Sequence, residues 1–241
     1  MKKFLFLLLA LCLILTTVAA CTPSNQGPSG NGGDETPTPA PTPNPESDFL
    51  YDFSSDGGVT ISEYVGTRTD VVIPDTLGGK NVTQIGEEAF YRNNDIVSVV
   101  LPSTVTSIHR FAFCACSALT TINLPEGLTK IGVCAFTECT ALTNVTLPST
   151  LVRLEGTAFS MCESLKSVSL PANLTHLGSG AFENSGLETL SFAENINLSE
   201  ISDYAFYRTQ LKNVTLPTSA KKLGMLHSRV KHWKALYLMK D

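Results

Sequence analysis

The sequence predicts a mainly β repeat solenoid whose coils are about 23 residues long, with short strands and short helical or 3-10 turns. The first observation is a series of Ala-Phe pairs that recur at a nearly constant spacing. Their phenylalanines are Phe90, Phe113, Phe136, Phe159, Phe182 and Phe206. The second observation is an apolar-Pro step of the same period, found at Leu101-Pro102, Leu124-Pro125, Leu147-Pro148, Leu170-Pro171 and Leu216-Pro217. Because an internal period in the low twenties is typical of stacked repeats, this signal outweighs local propensity.

The first half of each repeat has the pattern of a strand. In the copy at residues 116–138, Ile122 and Leu124 alternate with polar residues, as in a strand that buries one face. Pro125 follows and ends the strand, since proline donates no ladder hydrogen bond. Strands of neighbouring coils are expected to pair side by side, about 4.8 Å apart.

The second half of each repeat carries a shorter apolar strand and a turn. In the same copy, Ile131 marks the strand, Gly132 a turn, and Ala135-Phe136 the end of the coil. Too few residues remain for a full helix, so we expect a short helical or 3-10 turn there. Each phenylalanine should lie over the next one, because stacked coils bury one continuous core.

The pattern LxxIxLPxxLxxIGxxAFxxC resembles the leucine-rich repeats of the BspA type, a bacterial surface-protein class. The resemblance covers residues 59–217 and implies a leucine-rich repeat solenoid at 48–217, with an entry coil at 48–84 and about six repeats. It also implies a cell-surface or secreted protein that binds other proteins, since some members are described as adhesins.

Residues 1–20 have the features of an export signal. Two lysines precede an uncharged apolar run, and small residues precede Cys21. The stretch Val18-Ala19-Ala20-Cys21 resembles a bacterial lipobox, which implies that Cys21 is the lipidated first residue of the mature protein. An ordinary secretory signal and an uncleaved anchor are the alternatives. Acyl chains on Cys21 would hold the protein at the surface of a membrane without spanning it.

Residues 21–47 form a predicted disordered tether. After Cys21 the segment contains no large apolar residue and is rich in Pro, Thr and Gly, so it cannot bury enough surface to offset the entropy of ordering. Its proline-rich part favours an extended polyproline II spacer.

The charge of the predicted solenoid argues against nucleic acid as a partner. Residues 48–217 contain 9 Lys or Arg and 18 Asp or Glu, a net charge of −9. Nucleic-acid binding depends on cations that meet phosphate groups.

Residues 218–241 begin as another repeat and then leave the pattern. The stretch at 220–224 matches a repeat column, but no Ala-Phe pair follows, and the segment has six Lys or Arg against one Asp. A divergent cap, a basic arm for a partner or an anionic surface, and a repeat array truncated by a frameshift all remain open.

Five cysteines lie in the predicted solenoid, and we interpret them as structural thiols. Cys116, Cys139 and Cys162 recur at the period of the repeat and share a column with Asn, Ser and Thr in other coils, which indicates a packing ladder. The remaining two, Cys114 and Cys134, lie off this column, and a bridge between them is the alternative. No cofactor or metal site is predicted, since no His or second Cys pair stands at ligand spacing.

The sequence contains no recognisable catalytic set, so the protein is predicted not to be an enzyme. The nucleophile elbow, the P-loop, the zincin motif and the dinucleotide fingerprint are absent from it. No small-molecule substrate is predicted, although a site built from distant residues would not be visible at this level.

The outward positions of the apolar-Pro strands form the candidate ligand face. They are small, polar and Thr-rich, and solenoids use extended strand faces for binding. The candidate residues are Thr121, Asn123, Asn144, Thr146, Ser167, Ser169 and Thr189. The face lacks the aromatic and Arg anchors of tight interfaces, which suggests weak multivalent adhesion or no ligand there. Thr and Ser are also good exposed strand residues in their own right.

Together these features predict an exported, lipid-anchored leucine-rich repeat protein at the cell surface or the outer face of a membrane. Its partners are expected to be extracellular proteins or glycoproteins, through adhesion or host interaction. The alternative is a structural envelope scaffold that binds the producer's own surface proteins.

Overall fold

The structure is a computed structural model that describes residues 41–225 and the backbone of residues 232–235. The predicted signal peptide, Cys21 and most of the predicted tether lie outside the described residues. The described part confirms a mainly β solenoid with coils of the predicted length, since Ser98 pairs with Thr121, and Ser107 with Lys130, in neighbouring coils. A coil has one strand before the apolar-Pro step, which is reduced to a single bridge at Asn144, then a second short strand and a turn that carries the Ala-Phe pair.

The strands before the apolar-Pro steps form the first parallel sheet, which we call the LP sheet. Its strands are Asp70–Val72, Ser98–Val100, Thr121–Asn123, Ser167–Leu170, Thr189–Phe192, Asn213–Leu216 and His232–Ala235. They pair in register as three separate groups, and an isolated bridge joins Thr121 to Asn144. The ladder is broken twice, after Asn144 and again after Thr189–Phe192.

The second strands form the other sheet, which we call the second sheet. Its repeat strands are Ser107–Ile108, Lys130–Ile131, Arg153–Leu154, His176–Leu177, Glu200–Ile201 and Lys222–Leu223. The ladder continues from the entry coil to His176–Leu177, breaks there, and resumes between Glu200–Ile201 and Lys222–Leu223. The two sheets therefore break at different joints between coils.

An antiparallel hairpin closes the N-terminal end of the solenoid. Its strands are Phe49–Phe53 and Val59–Tyr64, and the second of these pairs in parallel with Lys80–Ile85. The short strand Thr76–Leu77 pairs antiparallel with the first residues of Lys80–Ile85, with Leu77 opposite Lys80. The entry coil thus connects the hairpin to the parallel second sheet through Lys80–Ile85.

The folded part begins at the end of the segment predicted as a tether. Asn44 is only 3% exposed, and its backbone and side chain both bond to the backbone of Val72, at 2.8 Å each. A 3-10 helix, Glu46–Asp48, follows. Ordered contacts of the solenoid therefore start before residue 48.

The phenylalanine column forms the centre of the core, as the repeat spacing predicts. Successive rings from Phe90 to Phe206 stack with centroids 4.7 to 5.8 Å apart and planes within 15° of parallel. Each ring is at most 2% exposed. The backbone follows the same order, because each phenylalanine N–H from Phe90 to Phe182 donates to the alanine carbonyl of the next coil at 2.7 to 2.8 Å.

The turn around the Ala-Phe pair is short, as predicted, and no continuous helix forms in it. It is a series of single turns, in which Thr137 N–H bonds Cys134 C=O and Cys139 N–H bonds Phe136 C=O, both at 3.2 Å. Cys134 and Glu138 have φ angles of 55° and 62°, in the left-handed region, and they interrupt a continuous helical path. The same two columns carry positive φ in the neighbouring coils, so the interruption belongs to the repeat.

The C-terminal segment continues the LP sheet through its backbone. His232–Ala235 pairs in parallel with Asn213–Leu216, starting with Asn213 opposite His232. The step from Asn213 to His232 is shorter than the step between the paired residues of the preceding coils. The segment that left the repeat pattern therefore still adds a strand.

Candidate functional site

The structure places the predicted ligand residues on one solvent-facing surface. Each of them is exposed, and the alternating apolar residues between them are buried in the core. The exposed set is Thr121, Asn123, Asn144, Thr146, Ser167, Ser169 and Thr189. This outcome follows from the two-residue period of a strand, which sends successive side chains to opposite faces.

Asn123 has a structural contact that the sequence did not indicate. Its side-chain Oδ1 accepts a hydrogen bond from Leu101 N–H at 2.6 Å, and its Nδ2 donates to Leu101 C=O at 3.3 Å. The side-chain amide of Asn123 therefore links its own coil to the backbone of the preceding coil. The side chains of Thr121, Asn144 and Ser167 make no hydrogen bond to any described residue.

A cleft opens on this surface where the LP sheet is interrupted. Asn144 pairs with Thr121 on one side, whereas no strand pairing joins it to Ser167–Leu170 on the other. Behind the cleft, Arg153–Leu154 and His176–Leu177 still pair in the second sheet. The coils therefore separate on the LP side alone.

This LP cleft has a volume of about 580 Å³. Five of the predicted residues line it, together with residues that sequence reasoning missed. The predicted ones are Asn144, Thr146, Ser167, Ser169 and Thr189. The missed ones include Glu126, Ser149 and Ala172. Glu126 accepts hydrogen bonds from Ser149 N–H at 3.0 Å and Ser149 Oγ at 2.7 Å, which hold its carboxylate at the rim.

A second opening of about 480 Å³ lies at the other break in the LP sheet. It is lined by residues of Thr189–Phe192 and Asn213–Leu216 and by the following turn. The breaks in the LP sheet could not be predicted from the sequence, because every repeat keeps the alternating pattern of a strand.

The second sheet presents a charged face that was not predicted from the sequence. Glu155 forms an ion pair with Arg153 at 2.9 Å, and its Oε2 lies 3.3 Å from Nε2 of His176 in the next coil. Burial raises the pKa of Glu155, but the hydrogen bond and charge of Arg153, with His176 and Lys130 nearby, outweigh it and lower the pKa overall. The carboxylate of Glu155 therefore contacts side chains of its own coil and of the next one.

A hollow of about 560 Å³ lies on the charged face between His109 and Lys130. His109 Nε2 is 2.8 Å from Gln84 Oε1, and burial, followed by the charge of Lys130, lowers the pKa of His109. Gly132 lines the hollow, and a Cβ atom there would lie 2.6 Å from the carbonyl carbon of His109. Glycine is therefore required by the close approach of two backbones.

The turn surface carries the aromatic and arginine side chains that the LP sheet lacks. Tyr91 is 39% exposed, and the Arg92 guanidinium carbon lies 5.1 Å from its ring centroid. In the next coil, Arg110 lies 4.9 Å from the ring of Phe111. Sequence reasoning missed this group because its members occupy different columns of adjacent repeats.

The cysteine column is a packing ladder, as its spacing predicts. Cys116, Cys139 and Cys162 are fully buried, and each thiol contacts the carbonyl of the phenylalanine at the preceding coil's turn, at 3.0 to 3.2 Å. Burial raises the pKa of Cys116 and Cys162 to about 12.

All five cysteines of the described part are free thiols. Cys114 is buried, and Cys134 is half-buried with its sulfur 3.0 Å from Thr157 Oγ1. The bridge between Cys114 and Cys134 that the sequence left open is therefore not formed in this structure.

Two features are absent from residues 41–225 and 232–235. No group of three or more His, Cys, Asp or Glu side chains is arranged there to hold a metal ion. No helix in this part has the length and hydrophobicity needed to cross a bilayer.

Short parallel strands, coils of nearly constant length, an inward phenylalanine column and an open strand face define a leucine-rich repeat solenoid. The model of the BspA type leucine rich repeat region matches residues 83–198 and 186–226, with six copies. The chain therefore belongs to the BspA-type leucine-rich repeat family. No curated protein matches it significantly in sequence.

Solved structures of bacterial leucine-rich repeat proteins resemble the chain. The leucine rich repeat protein of T. pallidum is 30% identical, with a TM-score of 0.69, over 76% of this chain and 86% of that one. A leucine rich cell surface protein of Faecalibacterium prausnitzii is 27% identical, with a TM-score of 0.68, over 77% of this chain and 51% of that one. A leucine-rich repeat protein of Bacteroides ovatus is 28% identical, with a TM-score of 0.57, over 73% and 60% of the two chains.

Proposed function

We propose that the protein is exported, is anchored to a membrane by a lipid on Cys21, and binds extracellular protein or glycoprotein ligands without catalysing a reaction. The LP cleft carries this proposal. It is the place where the strand face opens into a concave, hydroxyl-rich surface of about 580 Å³. Ligand sites are generally concave, with convergent polar groups that fix orientation.

The contacts inside the cleft support binding by many weak hydrogen bonds. Asn144, Ser167 and Ser169 present polar groups that have no side-chain partner among the described residues. The strands on the two sides of the cleft are not paired with each other, so backbone donors and acceptors also face it. No aromatic side chain of the described residues lines the cleft, which favours an extended, polar ligand over a flat apolar one.

Export and surface location are supported by the sequence features of residues 1–21. One similar structure is that of a protein named as a leucine rich cell surface protein. That name belongs to the relative, and it agrees with the location proposed for this chain.

The ligand proposal is tested by affinity capture with the full chain as bait. Host extracellular glycoproteins and the producer's envelope extract are offered in parallel. The test variant combines Thr121→Lys, Asn144→Lys and Ser167→Lys, which place three ammonium groups on and beside the LP cleft. Capture of a specific host protein that is lost in this variant supports adhesion through the strand face.

A matched control adds the same charge elsewhere. Val152→Lys, Ser179→Lys and Ser199→Lys change three exposed residues that do not line the cleft. Equal loss in both triple variants would show a general charge effect and would contradict a site on the LP face. Capture of envelope proteins alone would replace adhesion by the scaffold function.

The anchor is tested separately by Cys21→Ser. If Cys21 carries the lipid, this variant leaves the membrane fraction, because the acyl chains supply the membrane affinity. Unchanged retention would reject the lipid anchor without affecting the ligand proposal.

A further inference from the structure

The second sheet has an open strand edge at each end of the described solenoid. At the N-terminal end the last strand is Phe49–Phe53, and at the other end it is Lys222–Leu223. Each of them pairs on one side only, and its outer edge meets no other strand of the described residues. An open strand edge can pair with another chain, and proteins usually control this with charge or with a cover.

Each end also leaves an apolar side chain of the core face uncovered. Phe53 lies opposite the fully buried Val59, so both side chains are on the core face, yet Phe53 is 66% exposed. At the other end, Leu223 pairs with the fully buried Ile201 and is 43% exposed. The same column is buried in every earlier coil from Ile85 onward. The two ends of the described core are therefore not fully covered.

The N-terminal end is acidic. Residues 46–64, which form the 3-10 helix and the hairpin, contain five Asp or Glu and no Lys or Arg. None of these five carboxylates forms an ion pair with a described residue. The next cations along the chain are Arg68, whose guanidinium donates to Thr42 C=O, and Lys80 in the following coil. The hairpin therefore keeps an excess of negative charge.

The C-terminal end is basic. Residues 200–241 contain eight Lys or Arg and three Asp or Glu. Glu200 balances Lys222, whose Nζ lies 2.8 Å from Glu200 Oε1, and Asp203 accepts a backbone hydrogen bond within the last described coil. Lys221 is exposed and has no ion pair with a described residue. The excess positive charge thus lies at the end opposite the acidic hairpin.

We propose that copies of this chain associate head to tail, with the basic C-terminal end of one solenoid against the acidic N-terminal hairpin of the next. The uncovered side chains of Leu223 and Phe53 are buried in this interface, and Lys221 and Asp52 add opposite charges to it. Two N-terminal ends, or two C-terminal ends, would bring like charges together and repel. Because the contact joins two different surfaces, each copy keeps a free end and the assembly extends unless it closes into a ring.

The association is measured on the full chain by sedimentation velocity in mild detergent, with micelles in large excess over protein. The unchanged chain should form complexes that grow with its concentration. Raising the sodium chloride concentration from about 0.1 M to about 1 M should shift them towards monomers, because the Debye length falls from about 10 Å to about 3 Å. The experiment does not depend on a ligand in the LP cleft.

Two variants each block one end. The first carries Asp52→Lys and Phe53→Lys, and the second carries Lys221→Glu and Leu223→Glu. Each alone should associate at least tenfold more weakly than the unchanged chain. An equal mixture of the two should form a complex of two copies and nothing larger, because one intact hairpin meets one intact C-terminal end. Association through a shared micelle would be equal in all variants, since they have the same N-terminal segment.

Matched controls make the same changes in net charge in the middle of the solenoid. The variant with Thr121→Lys, Asn144→Lys and Ser167→Lys corresponds to the first, and Lys130→Glu with Val133→Glu, both exposed on the second sheet side, corresponds to the second. Both should associate within twofold of the unchanged chain, and thermal unfolding midpoints confirm that all variants are folded.

Three outcomes would each overturn the proposal. The first is a monomer at every concentration, which is the result expected if residues 226–231 or 236–241 of the same chain cover Leu223. The second is a dimer that either end variant still forms alone, which would indicate a contact between like surfaces. The third is an equal loss of association in the end variants and in their matched controls.

Discussion

The ring of Tyr64 stacks on the ring of Phe90, with centroids 5.3 Å apart and planes 22° apart, although Tyr64 lies outside the repeat period. Its N–H also donates to Ala89 C=O at 2.9 Å, the same bond that phenylalanines make in later coils. Tyr64 is therefore the first member of the aromatic column. Its hydroxyl adds bonds that phenylalanine lacks, to the backbone of Arg68 and to Asn44.

Two substitutions separate the ring of Tyr64 from its hydroxyl. Tyr64→Phe keeps the stack but leaves the polar groups of Arg68 and Asn44 without a partner, which should cost about 1–2 kcal/mol. Tyr64→Ala also removes the ring and should cost about 3–5 kcal/mol. Urea unfolding measures both. Equal losses in the two variants would show that the ring adds nothing to the end of the column.

The middle of the column should be the least tolerant part of the core. Phe136→Ala removes a ring with no exposed surface, stacked at 5.2 and 5.0 Å on its two neighbours, and should lower the free energy of unfolding by about 3–5 kcal/mol. Phe53→Ala is the control, since that ring is 66% exposed. Its effect should be within about 1 kcal/mol. A similar loss at both positions in urea titrations would contradict the importance of stacking.

The buried thiols should be inert in the folded protein. With the pKa of Cys116 and Cys162 near 12, the thiolate is rare at pH 8, and the column is closed to solvent. In a chain that carries Cys12→Ser and Cys21→Ser, a thiol reagent should label only the half-buried Cys134 quickly.

Mass spectrometry before and after unfolding in urea checks this order of labelling. The added change Cys134→Ser should remove the fast phase. Rapid labelling of the column in the native state would show that the coils open on the time scale of the reaction.

The ion pair of Glu155 with Arg153 should contribute to stability at neutral pH. Because the pKa of Glu155 is lowered in the folded state, its contribution is present above its ordinary pKa of 4.5 and is lost as the pH falls through the folded value. Glu155→Gln should therefore reduce the difference in unfolding free energy between pH 7 and pH 3.5. Since the group is near the surface, the effect should be below about 1 kcal/mol. Identical pH profiles of the two proteins would rule it out.

Most of what could be predicted of the fold came from residues that recur at the period of the repeat. Phe136 and Cys139 recur at a fixed spacing, and a recurring position in a solenoid has one environment, so ring stacking and the thiol ladder follow from the period. The outward direction of Thr146 and Ser169 follows from strand alternation in the same way.

Features that depend on one coil alone were not predictable. Tyr64 breaks the period, and Asn44 joins the fold through bonds to a distant backbone, so neither leaves a local pattern. The LP cleft forms where two neighbouring coils separate, although the sequences on both sides of it keep the regular strand pattern. The left-handed turns were not predicted, because residues such as Thr157 occupy positions where glycine or asparagine is usual.

The staggered breaks in the two sheets determine how the protein responds to a pulling force. After Asn144 the LP ladder is missing while the second sheet pairs, and after His176–Leu177 the second sheet is missing while the LP strands pair. The backbone ladder of the turns crosses both joints. A crack that starts at either break therefore meets intact hydrogen bonds on the opposite side, and the described coils have no single plane along which they would part.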